Sequence, residues 1–167
     1  SKAAAPLFAG VGTLARIDPA TSAVSDVIDV GQTPEAIAAG GRSIWVYNRG
    51  QATVSQIDAD TREVRHTTAL SSGATDASVY AGPMLAADED GAWFVGAAFS
   101  GRRRFVLTRI LSGGGKHDYR LDQEPRGVAA GFGAVWVVVR GKQGSQLLRI
   151  DPSTGRVIGT VADGGSE

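Results

Sequence analysis

The strongest constraint on the fold is an internal repeat. Trp45, Trp93 and Trp136 sit in the segments SIWVYN, GAWFVG and AVWVVV. A run of small residues precedes each: AIAAGGRS, LAADEDGA and VAAGFGA. A second apolar segment follows: ATVSQID, FVLTRIL and QLLRIDP, with an earlier copy at TLARIDP. Ile17, Ile57, Ile110 and Ile150 are therefore equivalent points, separated by 40, 53 and 40 residues. Pro34, Pro83 and Pro125 mark the start of each new unit. Self-similarity at this period means stacked supersecondary units rather than one irregular core.

Each unit reads as four short strands, A to D. In the second unit they fall near 35–39, 44–48, 53–58 and 63–69. Strand B is rich in β-branched and aromatic residues, as expected of a strand buried on both faces. Strand C alternates, with Val54 and Gln56 on one face and Ser55 and Ile57 on the other. The separators are turn-formers: GGR, DEDG and GFG between A and B, and DPAT, DADT and DPST between C and D. No stretch holds a 3.6-residue apolar period. The expected fold is all-β: a β-propeller of four-stranded antiparallel blades, about three and a half in this chain, with units near 6–34, 35–83, 84–126 and 127–165. The first unit shows clear C and D strands at 12–17 and 23–30; residues 6–10, PLFAG, offer a short B strand, but no strand A precedes it. Open strand edges follow, and with them an expected partner: a second copy or the remainder of a larger propeller.

Val-Ser-Gln-Ile-Asp at 54–58, Leu-Arg-Ile-Asp-Pro-Ser-Thr-Gly at 148–155, Ile-Asp-Val-Gly-Gln-Thr-Pro-Glu-Ala-Ile-Ala at 28–38 and Trp-Val-Tyr-Asn at 45–48 resemble the YVTN-type repeats of bacterial β-propellers. The resemblance covers nearly the whole chain and is weakest where LSGGGK replaces the Asp-Pro turn. It implies an extracytoplasmic, secreted or cell-surface setting and a sensor or binding role.

Chemistry is sparse. With no Cys and only two His, thiolate and His-rich metal centres are excluded. Lys+Arg and Asp+Glu are 17 each, which argues against nucleic-acid binding by bulk charge. No apolar run approaches the ~20 residues of a membrane-spanning helix. Asp18, Asp58 and Asp151 begin the C–D turns, where a carboxylate accepts turn N–H groups, so they read as structural. The three Trp read as packing between blades. His66 and His117 fall on D strands. Asp88-Glu89-Asp90-Gly91 reads as a solvated acidic turn, because it lacks the spaced oxygen ligands of a calcium loop. Neither a nucleophile elbow nor a phosphate-cradling loop is present. No catalytic residue, metal site or cofactor is expected.

Antiparallel strands place the A–B and C–D turns at one end of each unit and the B–C and D–A connections at the other. Two connections at the second end stand out as long loops, 70–83 and 96–105. Variable loops on a rigid scaffold are where binding concentrates. The same end carries Arg49, Arg102, Arg103, Arg104, Arg140 and Lys142, with Tyr80 and Arg126 on its D–A connections. These eight residues are the candidate ligand-binding set for an anionic ligand or protein partner. Glu35, Asp76, Asp122 and Glu124 at the same end temper the charge. The expected function is a non-catalytic binding or sensor module of a bacterial extracytoplasmic protein. The alternative is a propeller lyase of the virginiamycin B lyase type, which uses a His with carboxylates and a divalent metal; no matching His falls at the ligand end. A quinone-cofactor propeller fits less well, since its repeat places Trp after the Thr-Gly turn rather than before it.

Overall fold

The computed structural model describes residues 10–71, 84–100, 102–141 and 144–162. They form fourteen strands and one short 3-10 turn, with no α-helix. Three sheets have four strands: β3 to β6 (Pro34–Gly40, Ser43–Asn48, Thr53–Asp58, Val64–Ala69), β7 to β10 (Leu85–Ala87, Gly91–Ser100, Arg102–Leu111, Lys116–Leu121), and β11 to β14 (Pro125–Gly131, Ala134–Arg140, Ser145–Ile150, Val157–Ala162). Each is an antiparallel meander in chain order. A fourth sheet has two strands, β1 (Thr13–Ile17) and β2 (Val24–Asp29). The sheets are blades I to IV in sequence order, β1–β2 being blade I.

The blades share one register. Trp45 lies opposite Ala38 and Gln56, Trp93 opposite Ala86 and Arg109, and Trp136 opposite Ala129 and Arg149. The ladder of β1 with β2 matches that of β5 with β6, pair for pair and bulge for bulge, so Leu14 corresponds to Val54, Arg16 to Gln56 and Ile17 to Ile57. The Trp face of each blade looks toward the next. Trp45 and Trp93 are fully buried within one apolar cluster with Tyr47, Leu85, Phe94, Leu107, Val128 and Val135. Tyr47 and Phe94 meet across the joint between blades II and III, ring centroids 4.6 Å apart. Polar ties cross the same joints. Lys116 Nζ donates to the Ala69 carbonyl at 2.7 Å, and Arg109 donates to the Pro152 carbonyl at 2.7 Å. Trp136 departs from the expected full burial: it is half-buried, because among the described residues no blade covers its face.

The C–D turns bear out the structural reading of their Asp residues. Asp58 Oδ1 accepts from the N–H groups of Asp60 and Thr61 at 2.8 and 2.7 Å, and Asp151 Oδ1 does the same for Ser153 and Thr154. Asp18 accepts from Ala20. The N–H of Thr61 above all holds the Asp58 carboxyl below the ordinary carboxylate range, against burial, with Asp60 and Arg65 adding to it. Asp151 is held down chiefly by the Ser153 hydroxyl, with the Ser153 and Thr154 N–H groups assisting. Four residues after each Asp the chain turns left-handed, at Ser22, Arg62 and Gly155. Gly155 is fixed there twice over, since a Cβ would also strike the Tyr119 ring of blade III.

One expected loop is not a loop. Residues 96–105 continue the strands: β8 and β9 are ten residues each, and their ladder runs on through Ala97–Phe105 and Ala98–Arg104 to Ser100–Arg102. GAAFSGRRRF has no Pro, Asn or Asp, and the ladder passes through Gly96, so pairing runs on to Ser100 and Arg102. The connection at 72–83, with Tyr80, lies outside the described residues, as does Lys142.

Candidate functional site: an arginine-bearing end

The B–C and D–A ends of the blades gather the described candidates. Arg49 begins the 3-10 turn Arg49–Gln51 directly after β4. Its N–H bonds to the Thr33 carbonyl at 2.9 Å, which seats the turn against the D–A connection. Its guanidinium meets Glu35 at 2.8 Å. Arg140 ends β12, and its N–H bonds to the Glu124 carbonyl at 2.8 Å. The half-buried Glu124 carboxylate faces Arg126 at 3.6 Å and Arg140 at 3.9 Å. The structure thus splits the candidates into two groups. Arg49, Arg126 and Arg140 are engaged by the acids that tempered the charge in the sequence. Arg102, Arg103 and Arg104 stand in succession on β9 near the end of the β8–β9 arm, and Arg104 is exposed.

Beneath this end lies Tyr47, wholly buried, whose hydroxyl has no hydrogen-bond partner. Burial, reinforced by Glu35, pushes its pKa up to about 12. Nothing in its sequence position marks this; it follows from the joint with blade III. Asn48, also wholly buried, braces the end by accepting from the Gly31 N–H at 3.1 Å and donating to Ser55 at 2.9 Å.

Elsewhere the titratable groups serve the scaffold. Asp88 Oδ1 accepts from the N–H groups of Asp90 and Gly91, and Oδ2 from the Trp93 indole at 2.8 Å, so the acidic turn holds the repeat Trp. Among the described residues no three His, Asp or Glu come together as a metal site. His66 and His117 are exposed on the outer strands β6 and β10. Among the described residues no helix is long and apolar enough to cross a membrane.

Comparison with solved structures fits this geometry. The chain superposes on Kuenenia stuttgartiensis hydrazine synthase with a TM-score of 0.67 at 17% identity, over 89% of this chain and 42% of that one. It superposes on the Cps50 (Swd1) β-propeller domain of Myceliophthora thermophila with a TM-score of 0.56 at 12% identity, over 89% and 50%. The fold is a partial β-propeller. BamB from Moraxella catarrhalis gives a TM-score of 0.57 at 16% identity, over 89% and 46%. The chain thus spans half or less of the length of each of these structures. No family model matches the sequence, and no curated protein matches it.

Proposed function

We propose that this chain is a non-catalytic binding or sensor module of a bacterial extracytoplasmic protein, and that its arginine-bearing end receives an anionic ligand or an acidic protein surface. The observation that carries this reading is the β8–β9 arm. Its strands are ten residues long where the B and C strands of the neighbouring blades are six or seven, and it bears three consecutive arginines at the ligand end. A two-stranded arm that continues a packed blade places its residues at little ordering cost, because the blade already fixes its base. The other arginines of this end sit beside Glu35 and Glu124 and shape its rim. The module works with further blades, supplied by a longer ring or by a second copy.

The reading is tested by calorimetry with phosphate, polyanionic glycans and peptidoglycan fragments against the 167-residue chain. Saturable binding is expected to weaken at least tenfold when Arg102, Arg103 and Arg104 are all changed to Ala, and to fall steeply with salt. Binding indifferent to both changes overturns it.

A further inference from the structure

Among the described residues blade I is half a blade, the B-strand candidate at 6–10 lying outside them except for Gly10, and its sisters show what belongs in the other half. In blades II, III and IV the C strand pairs with a B strand, and an A strand follows. Among the described residues the corresponding edge of β1 is unpaired. The residues around it are exposed where their equivalents are not. Ile17 is 52% exposed, while Ile57, Ile110 and Ile150 are wholly buried. Ile37, on the blade II face that looks toward blade I, is 57% exposed, whereas its equivalents Leu85 and Val128 are 4% and 5% exposed. A groove of about 550 Å³ lies between the blades, lined by Leu14, Arg16 and Ile28 of blade I and by Ile37 and Ile44 of blade II. The Arg62–Asp26 ion pair at 3.1 Å joins blade I to blade II beside the groove.

Arg16 identifies the occupant. Its equivalents in blades III and IV are Arg109 and Arg149, and each lies over the Trp of the paired B strand, 5.3 Å from Trp93 and 5.6 Å from Trp136. Arg16 has the same place in the ladder and lacks that ring among the described residues. A guanidinium over an indole face is an attractive contact that gains when it is desolvated. The apolar floor matches, since Leu85 and Val128, the equivalents of Ile37, are packed in the cluster that buries Trp45 and Trp93.

Resting on the reading of the chain as part of a larger ring, we propose that this groove receives an antiparallel A–B hairpin of the repeat's own kind. Its B strand pairs edge to edge with β1 and lays a tryptophan over Arg16, against Ile37 and Ile44. Strand addition supplies the backbone bonds, and the Trp pocket supplies specificity.

The test titrates the 15N-labelled full chain with a peptide of sequence Pro34–Asn48, the blade II hairpin. Expected are shifts at β1, Ile37 and Ile44, amide exchange of β1 slowed at least tenfold, and affinity lowered tenfold or more when the peptide's Trp is changed to Ala. Arg16→Ala in the chain weakens binding about fivefold. Because a short peptide can fail to form a hairpin, a second chain carries Pro34–Ala52 fused directly ahead of Thr13. Its thermal midpoint is expected to rise, and the rise to shrink when the fused Trp is changed to Ala. A silent peptide together with an unchanged midpoint overturns the proposal. Binding that ignores both the peptide's Trp and Arg16 also overturns it. Neither outcome touches anion binding at the β8–β9 arm, so the two readings fail separately.

Discussion

Strands β8 and β12 carry the same pattern in the same register, yet they live in different surroundings. Trp93 has blade IV against it, the Tyr119 ring stacked at 6.3 Å and the Asp88 carboxylate on its indole N–H. The Trp136 indole donates to the Gly131 carbonyl at 3.2 Å with Arg149 over its ring, and its neighbours Val138 and Val161 are exposed. Val95 and Tyr47, the counterparts of Val138, are wholly buried. A blade thus owns its ladder but borrows its burial. The repeat encodes both faces of every joint, and a joint forms only where two blades meet. Among the described residues, the open faces of blades I and IV are unfinished copies of the closed ones.

The largest test of this difference removes the indoles. Trp93→Ala should cost about 3–5 kcal/mol, as for a large aromatic cut from a packed core, while Trp136→Ala should cost roughly half as much or less. Equal losses in chemical denaturation would mean that the two joints are equivalent after all.

A smaller effect comes from one turn position read in two blades. Gly155→Ala forces a Cβ into the left-handed region and into the Tyr119 ring, and about 2 kcal/mol or more should be lost. Ser22→Gly at the matching, exposed turn of blade I relieves the same backbone conformation and should gain up to about 1 kcal/mol. Thermal unfolding of both variants checks the pair, and effects of the same sign would contradict the account.

The sequence was legible wherever the signal was local. Strand units, the Trp register and the Asp-led turns followed from β-branched runs and turn-formers a few residues apart. Two features were not legible. The β8–β9 arm reads as a loop because its Ala, Ser and Arg residues carry no apolar alternation, and its pairing partner lies only across its own tip. The engagement of Arg49 by Glu35, and of Arg140 by Glu124, joins residues well apart in sequence. The topology alone could have found it, since B–C and D–A connections share one end and set β3 beside β4 and β11 beside β12. Trp136 misled for the opposite reason: its local pattern is that of a buried strand, and its burial depends on a neighbouring blade.

The smallest effect concerns acid. Because Asp58 and Asp151 titrate below their ordinary range in the folded chain, their contribution is fully present above about pH 4 and is lost as pH falls through the lowered values. Changing both to Asn should flatten the decline of the thermal midpoint between pH 4 and 2.5, and an unchanged slope would contradict the turn assignment.

The comparison is tested most directly by native-state hydrogen exchange, strand by strand. The account predicts the slowest amides in β8, β9 and the flanking B and C strands of the closed joints. It predicts exchange in β1 faster by tenfold or more than in β5, its exact counterpart in register. Amides in β1 as protected as those in β5 would contradict the claim that burial in this fold belongs to the joint rather than to the blade.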